Sequence, residues 1–211
     1  MTSQRTRSRM IERLREQGIR DEVVLAAMNS VPRHLFVEEA ISHLAYDDKS
    51  LPIGYAQTIS QPYIVARMIE VLRDGKQLKR VLEIGTGCGY QAAVLAHVAR
   101  EVFSVERIQP LHERALITLK ELEAENVMSS YADGSLGLPD RAPFDGIIMA
   151  AAATHVPQAL LDQLAENGKL VIPVGGEGVQ QLMIYEKKGN NITKNGLGYC
   201  RFVPLVPGLE G

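Results

Sequence analysis

Residues 81–90 read VLEIGTGCGY, a short apolar stretch that runs into a glycine-rich turn. An apolar run bounded by glycine predicts a buried strand, and we expect a helix to follow from about Gln91 to Ala99. Glycine permits tight turns and lets a bound group approach the backbone closely. The segment therefore predicts a ligand-binding turn at the end of a strand in an α/β sheet.

Strands and helices alternate along the chain after this turn. Further strands are predicted at 102–105, 127–131, 144–149 and 170–174. Helices are expected to begin near Pro110 and Pro157, with a helix stop at Gly168. This alternation indicates a doubly wound, mostly parallel sheet. Residues 181–187 and 199–206 predict a closing antiparallel hairpin around a turn rich in Gly and Asn.

The N-terminal part of the chain predicts helices. Residues 5–30 carry apolar side chains at helical spacing, and Asp21 is placed to cap the second of two helices. The periodicity fails in residues 31–61, which predicts a long irregular connection, and such connections are often functional. Pro62 then opens a helix, so Ser60 is expected at a helix N-terminus.

The composition is that of an ordinary globular protein. The 211 residues are 45% hydrophobic and 23% charged, which excludes collagen-like, coiled-coil and broadly disordered classes. The formal net charge of −2 provides no general attraction to nucleic acid, although five arginines lie within residues 5–15. We interpret these arginines as a solvated helix face, and the steering of an acidic partner is the alternative.

No segment predicts a membrane span or a secretion signal. The longest apolar run, residues 147–153, is far shorter than the roughly 20 residues that a span requires. Cys88 and Cys200 have no paired spacing, as expected of free thiols in a reducing compartment. We therefore expect a cytoplasmic protein without a membrane partner. We also expect a monomer. We further expect one domain over 1–211, with helices and a covering loop in 1–78 and the ligand-binding sheet with its C-terminal hairpin in 79–211.

Two acidic residues follow the predicted strands next to the glycine turn. Glu106 lies about twenty residues beyond Gly85, where a carboxylate is placed to accept hydrogen bonds from both hydroxyls of a ribose. Asp133 is placed to accept from an adenine amino group, although a lone Asp-Gly is also a common turn. Tyr90 occupies a position where a dinucleotide fingerprint has Gly or Ala, which argues against a nicotinamide cofactor. The expected ligand contains a nucleoside.

Several other kinds of site lack their motifs in this sequence. The sequence contains no phosphate-cradling P-loop, no HExxH or close histidine pair, and no Gly-x-Ser-x-Gly elbow. We therefore expect neither a metal site nor a serine-hydrolase triad.

The glycine turn and the two acidic positions together resemble the motif series of S-adenosylmethionine-dependent methyltransferases of the Rossmann-like class. The segment GYAQTISQP at 54–62, with PFD at 143–145 and RFVPL at 201–205, narrows the resemblance. These segments are similar to those of bacterial protein-L-isoaspartate O-methyltransferases, over roughly residues 10–206. The resemblance implies a Rossmann-like, doubly wound, seven-stranded sheet with antiparallel C-terminal strands and an N-terminal helical appendage.

This family transfers methyl from S-adenosyl-L-methionine to the α-carboxylate of L-isoaspartyl residues in damaged proteins and peptides, which initiates their repair. S-adenosyl-L-homocysteine is the product, and no metal takes part. The acceptor chemistry suits a chain without an obvious base. An α-carboxyl group has a pKa of about 3.5 in model peptides, so it is already an anion at neutral pH.

The resemblance also implies roles for individual residues. Ser60 matches the active-site serine, which we interpret as a positioning group. Donor binding is implied for Gln57, Thr58, Ile59, Ser60, Glu83, Gly85, Thr86, Gly87, Glu106, Arg107, Asp133 and Gly134. Substrate binding is implied for Ala56, Ser60 and Val203.

Two other functions stay open at this point. One is methyl transfer by a related O-methyltransferase to a small-molecule acceptor. The other is a non-catalytic nucleoside-binding or RNA-associated module that uses the arginine-rich N-terminus, and it predicts salt-sensitive RNA retention without methyl transfer.

Overall fold

The structure is a computed structural model that describes residues 4–211. Its α-helices are α1 Gln4–Glu16, α2 Glu22–Ser30, α3 Pro62–Arg73, α4 Tyr90–Ala96, α5 Gln109–Glu121 and α6 Gln158–Asp162. Its strands are β1 Leu51–Gly54, β2 Gln57–Ile59, β3 Leu78–Ile84, β4 Ala99–Glu106, β5 Val127–Tyr131, β6 Phe144–Met149, β7 Leu164–Val174, β8 Gln180–Lys188 and β9 Asn191–Cys200. None of these helices is long and apolar enough to cross a bilayer.

Seven of the strands form one sheet in the order β5-β4-β3-β6-β7-β8-β9. Neighbours from β5 to β7 pair in parallel, and β8 and β9 pair antiparallel. The predicted doubly wound sheet with antiparallel C-terminal strands is thus confirmed, as is the N-terminal helical appendage. From β3 the chain continues to β4 on one side, and from the neighbouring β6 it continues to β7 on the other, so it leaves the carboxyl ends of β3 and β6 in opposite directions. In doubly wound sheets this point opens a crevice for ligands.

Side chains of the central strands alternate between two hydrophobic clusters. Val81 and Val102 belong to the cluster that also contains Leu14 of α1 and Ile69 of α3. Leu82 of β3 belongs to the other cluster, which includes α6. This alternation follows from the two-residue period of a strand. It makes the N-terminal helices part of the same core as the sheet.

Two predicted helix ends next to the parallel strands are wrong. Helix α4 ends at Ala96 instead of Ala99, because Ala99 already pairs with Leu78 as the first residue of β4. Gly168 does not stop a helix but lies inside β7, which begins at Leu164. The pairing of β7 with β6 includes an irregularity before Gly146, and this longer, kinked strand has no local sequence signal.

The final strand also differs from its prediction at 199–206. Strand β9 ends at Cys200, and Lys188 pairs with Asn191 across a two-residue turn in which Gly189 has φ of +58°. The Gly- and Asn-rich segment predicted as a turn therefore supplies the turn only at residues 189–190, and from Asn191 onward it is the strand itself. Beyond it, Pro204 forms an isolated bridge with Ala152.

Residues 31–61 are more ordered than the predicted irregular connection. They contain 3-10 helices at Arg33–Phe36 and Glu39–Leu44, followed by the β1–β2 hairpin. Tyr55 and Ala56 form the hairpin turn with positive φ angles, near +54° and +53°. Gly, Asn and Asp are the usual residues in that conformation, so the sequence contained no clear signal for this hairpin.

Helices α2 and α3 are joined by a buried ion pair. The predicted cap is confirmed, since Asp21 Oδ1 accepts a hydrogen bond from the Val23 amide at 2.9 Å. Its Oδ2 accepts from Arg73 Nε at 2.9 Å, and the two side chains are 10% and 7% exposed. One carboxylate thus caps α2 and holds the C-terminal end of α3.

We expect Asp21→Ala to lower the free energy of unfolding by about 3 to 5 kcal/mol, because it leaves the Arg73 guanidinium buried without its carboxylate. Asp21→Asn keeps an oxygen for the cap, so its loss should be smaller. Urea denaturation measures both, with Glu22→Gln in an exposed ion pair as the control. An Asp21→Ala loss no larger than that of Glu22→Gln would show that the pair adds nothing.

Candidate active site

A cavity of about 500 Å³ lies at the carboxyl ends of β3 and β4. The predicted site residues on its wall are Gln57, Thr58, Ile59, Ser60, Gly85, Thr86, Gly87, Glu106, Arg107, Gly134 and Val203. Glu83, Asp133 and Ala56 are not part of the wall. Most of the predicted donor and acceptor residues therefore surround one space.

The glycine turn forms the wall at the end of β3. The amides of Gly85 and Thr86 donate to the Val105 carbonyl at 2.8 and 3.1 Å, which ties the turn to β4. Gly87 has φ of +53°, and a Cβ there would lie 3.2 Å from Ile53 Cδ1. Glycine adopts this left-handed backbone most readily, because it has no Cβ. The turn consequently exposes backbone directly to the cavity.

Glu106 fixes the end of β4 against this turn. Its side chain is almost completely buried, and its Oε2 accepts from the Gly87 amide at 2.7 Å. Its Oε1 accepts from the Ile108 amide at 2.9 Å. Each carboxylate oxygen has capacity for a second hydrogen bond, and the residue lines the cavity. The arrangement suits a ligand with two neighbouring hydroxyls.

Asp133 holds the C-terminal segment, while its neighbour Gly134 reaches the cavity. Asp133 Oδ2 accepts from the Gly208 amide at 2.7 Å, and Oδ1 accepts from the Ser135 amide at 2.9 Å. Burial alone would raise the pKa of the Asp133 carboxyl, but these backbone hydrogen bonds and the Arg107 charge lower it. Arg107 Nε also donates to the Gly208 carbonyl at 3.0 Å. Asp133 and Arg107, which were both predicted to bind the donor, thus anchor the chain near its C-terminus.

Gly134 permits close packing at this point. A Cβ on Gly134 would lie 2.6 Å from Ile84 Cγ2, closer than van der Waals contact allows. The backbone after β5 therefore packs directly on the end of β3. Any side chain there would push the cavity wall outward.

Glu83 lies beneath the turn and is completely buried. Ser104 Oγ donates to Glu83 Oε2 at 2.5 Å and is also 2.5 Å from Thr86 Oγ1. Burial raises the pKa of the Glu83 carboxyl from 4.5 to about 8, and the hydrogen bond from Ser104 only partly opposes this shift. At neutral pH Glu83 is therefore mostly protonated. This chain of side chains supports the glycine turn from below.

Ser60 lies in the short link between β2 and α3. Among residues 4–211 its hydroxyl has no hydrogen-bond partner, while its carbonyl accepts from Arg33 Nη2 at 2.7 Å. Ser60 directly precedes Gln61, the N-cap residue of α3, and Asp48 Oδ1 accepts from the Tyr63 amide in the first turn at 2.9 Å. The Ser60 hydroxyl is left as a donor at the cavity.

Residues after β9 complete the wall. The Ala152 amide donates to the Val203 carbonyl at 2.8 Å, and the Leu205 amide donates to the Ala152 carbonyl at 2.7 Å. This pairing holds Val203 beside the alanine run that follows β6. Ala56 instead lies in the β1–β2 turn, outside the wall.

Sequence reasoning missed several residues of the site, among them Tyr90, Gln91, Ile108, Val179 and Tyr199 on the wall, and Ser104 and Arg33 behind it. Tyr90 and Gln91 directly follow the glycine turn, so their position was a usable signal. Val179 and Tyr199 come from the antiparallel strands, and only the observed register brings them to the cavity. Within the described residues, no three His, Cys, Asp or Glu side chains group as ligands for a metal ion.

We expect the buried Glu83 carboxyl to make stability depend on pH. Between about pH 4.5 and 8 the unfolded state releases a proton that the folded state keeps, so the free energy of unfolding falls as pH rises. Relative to wild type, Glu83→Gln should gain about 1.4 kcal/mol for each pH unit in this window. Urea denaturation at several pH values measures this difference.

Glu125→Gln, at an exposed position, serves as the control and should show no such trend. A constant difference between Glu83→Gln and wild type from pH 5 to 8 would contradict a protonated Glu83.

Comparison with known proteins gives consistent matches along the chain. The model of the family described as "Protein-L-isoaspartate(D-aspartate) O-methyltransferase (PCMT)" matches residues 5–210. A protein-L-isoaspartate O-methyltransferase of Azoarcus sp. is 60% identical over 98% of this chain and 95% of the relative. One from Hahella chejuensis is 53% identical over 99% of both chains.

Solved structures agree with these matches. A protein-L-isoaspartate O-methyltransferase superposes with a TM-score of 0.86 at 29% identity, over 97% of this chain and 67% of that chain. A Plasmodium falciparum structure described as such an enzyme in complex with S-adenosyl-L-homocysteine gives 0.79 at 29% identity, over 95% and 98%. Sequence and fold lead to the same assignment, and the chain belongs to the protein-L-isoaspartate(D-aspartate) O-methyltransferase family.

Proposed function

We propose that this chain transfers a methyl group from S-adenosyl-L-methionine to the α-carboxylate of L-isoaspartyl residues in damaged proteins and peptides, and so initiates their repair. The observation that carries the proposal is that Ser60 and Glu106 line the same cavity. Family membership favours this function over methyl transfer to a small-molecule acceptor.

The residues at the glycine turn fit the donor. Glu106 has acceptor capacity for two ribose hydroxyls, and the backbone at Gly85 and Gly87 leaves room for close approach of the amino-acid part. Gly134 and Ile108 line the space expected for the base. When bound, S-adenosyl-L-methionine supplies an electrophilic methyl group on a sulfonium centre.

The acceptor requires orientation and no general base. Its α-carboxylate is an anion at neutral pH, so the residues around it need only hold one oxygen towards the methyl group. Orientation of this kind lowers reaction barriers by about 7 to 11 kcal/mol in favourable cases. The free Ser60 hydroxyl is a donor for the carboxylate, and the N-terminal end of α3 favours negative charge.

The peptide on either side of the isoaspartyl residue is proposed to lie between two segments. One is the loop from Ala56 to Ser60, and the other is the segment around Val203, which is held by Ala152. Because many proteins are substrates, recognition would rest on extended backbone more than on particular side chains. The exposed Tyr199, at the edge of the cavity, is available to contact side chains of the substrate.

We also propose that residues 1–211 act as one domain and as a monomer in the cytoplasm. The hydrophobic cluster that joins α1–α3 to the sheet supports one domain across the 78/79 boundary. Free Cys88 and Cys200 suit a reducing compartment. The formal net charge of −2 supports protein substrates over nucleic acid.

Labelled methyl transfer tests the function. Wild type should label a synthetic isoaspartyl peptide from S-adenosyl-L-methionine and leave the matching aspartyl peptide unlabelled, with label that is released by base as expected of a methyl ester. Label on neither peptide, with donor binding intact, would contradict the proposed acceptor.

Ser60→Ala should lower kcat by about 10- to 100-fold, because it removes a hydrogen-bond donor that orients the carboxylate. The dissociation constant for S-adenosyl-L-homocysteine, from calorimetry, should change by no more than about twofold. Ser30→Ala, an exposed serine on α2, is the matched control and should retain full turnover. Unchanged kcat in Ser60→Ala would reject the positioning role.

A further inference from the structure

Arg33 is a completely buried arginine behind the cavity. Its Nε donates to the Ala45 carbonyl at 2.7 Å, and its Nη2 donates to the Ser60 carbonyl at 2.7 Å. Its guanidinium carbon lies 4.7 Å from the centre of the Tyr90 ring. One side chain thus contacts the segment before β1, the link that carries Ser60, and the first residue of α4.

The positive charge of Arg33 is buried and is not balanced by an ion pair within the described residues. Within residues 4–211 no carboxylate forms an ion pair with it, and its Nη1 has no hydrogen-bond partner. Burial lowers the pKa of the guanidinium, although the nearby Tyr90 side chain partly opposes this effect. Burying an unpaired charge is unfavourable, and stability alone would be served as well by an apolar side chain. This arrangement therefore suggests a role beyond packing.

The hydrogen bond to the Ser60 carbonyl indicates what this role is. Hydrogen bonds to backbone carbonyls fix main-chain position, and the two carbonyls that Arg33 holds lie on separate segments. The planar guanidinium reaches both at once, whereas the single ammonium of a lysine lacks this fork. The Tyr90 ring adds a third contact through cation–π attraction. The result is a fixed distance between the Ser60 link and the start of α4.

We propose that Arg33 is a positioning residue for methyl transfer, which holds the Ser60 backbone so that the serine hydroxyl meets the acceptor carboxylate. This inference rests on the proposed function of Ser60. The donor turn has separate supports in Glu106 and the Glu83–Ser104 pair, so Arg33 should affect the acceptor step more than donor affinity.

The test is a double-mutant cycle between Arg33→Lys and Ser60→Ala on isoaspartyl peptide methylation. Arg33→Lys alone should lower kcat at least about fivefold and leave the dissociation constant for S-adenosyl-L-homocysteine within about threefold. If Arg33 acts through the serine hydroxyl, the double variant should have the kcat of Ser60→Ala within about twofold. A double variant whose fold-loss in kcat equals the product of the two single fold-losses would overturn the proposal.

Arg73→Lys is the matched control. Arg73 is also buried and also donates to a main-chain carbonyl, that of Lys76, but it is not part of the cavity wall. Its substitution should lower stability without changing kcat. A loss of kcat equal to that of Arg33→Lys would assign the Arg33 effect to general destabilisation and contradict the proposal.

Amide hydrogen exchange provides a measurement that needs no activity. Arg33→Met removes both hydrogen bonds, so exchange in residues 57–61 should become at least about tenfold faster than in wild type and in Arg73→Lys. Unchanged exchange in residues 57–61 would overturn the proposal, whether or not wild type methylates the isoaspartyl peptide. If exchange is faster in Arg33→Met but wild type methylates no isoaspartyl peptide, the proposed function is refuted and the structural role of Arg33 is retained. If Arg33→Met does not fold, Arg33→Lys serves for the same comparison.

Discussion

The hydrogen bond from the Gly87 amide to the Glu106 carboxylate joins the ends of the two central strands, and the cavity takes its form from this contact. It is possible because β3 and β4 are parallel neighbours, which brings both carboxyl ends to the same edge of the sheet. Gly87 adopts a left-handed backbone that directs its amide to the carboxylate. Below it, Ser104 joins Glu83 to Thr86 and keeps the turn in place.

The side of the cavity where we propose that the acceptor binds is built differently. Its residues come from the loop before α3 and the segment after β9, neither of which belongs to the parallel strands. Such segments depend on side-chain contacts for their position, and the structure supplies these from distant parts of the chain. Arg33 holds the Ser60 carbonyl, Asp48 caps α3, and Ala152 pairs with Val203. The side proposed for the donor is thus formed by neighbouring strand ends, and the side proposed for the acceptor is formed by segments that distant residues support.

The sequence was most informative where local pattern and final environment agree. The predicted bounds of β5 and β6 match the structure, because these strands are short and clearly bounded by turn residues. The final strand was misplaced because its Gly- and Asn-rich residues pair only through the register with β8. At the site, the glycine turn and Glu106 directly follow predicted strands, so the local sequence pattern could predict their position. The tail contact of Asp133 and the burial of Arg33 depend on partners far along the chain, Gly208 and Ser60, which no local pattern contains.

The most direct measurement is a crystal structure of the chain with S-adenosyl-L-homocysteine and an isoaspartyl peptide bound together. Our account predicts both ribose hydroxyls on the Glu106 carboxylate and the isoaspartyl α-carboxylate on the Ser60 hydroxyl. One carboxylate oxygen should point at the sulfur, as in-line transfer requires. A nucleoside bound away from Glu106, or a carboxylate held without Ser60, would contradict it.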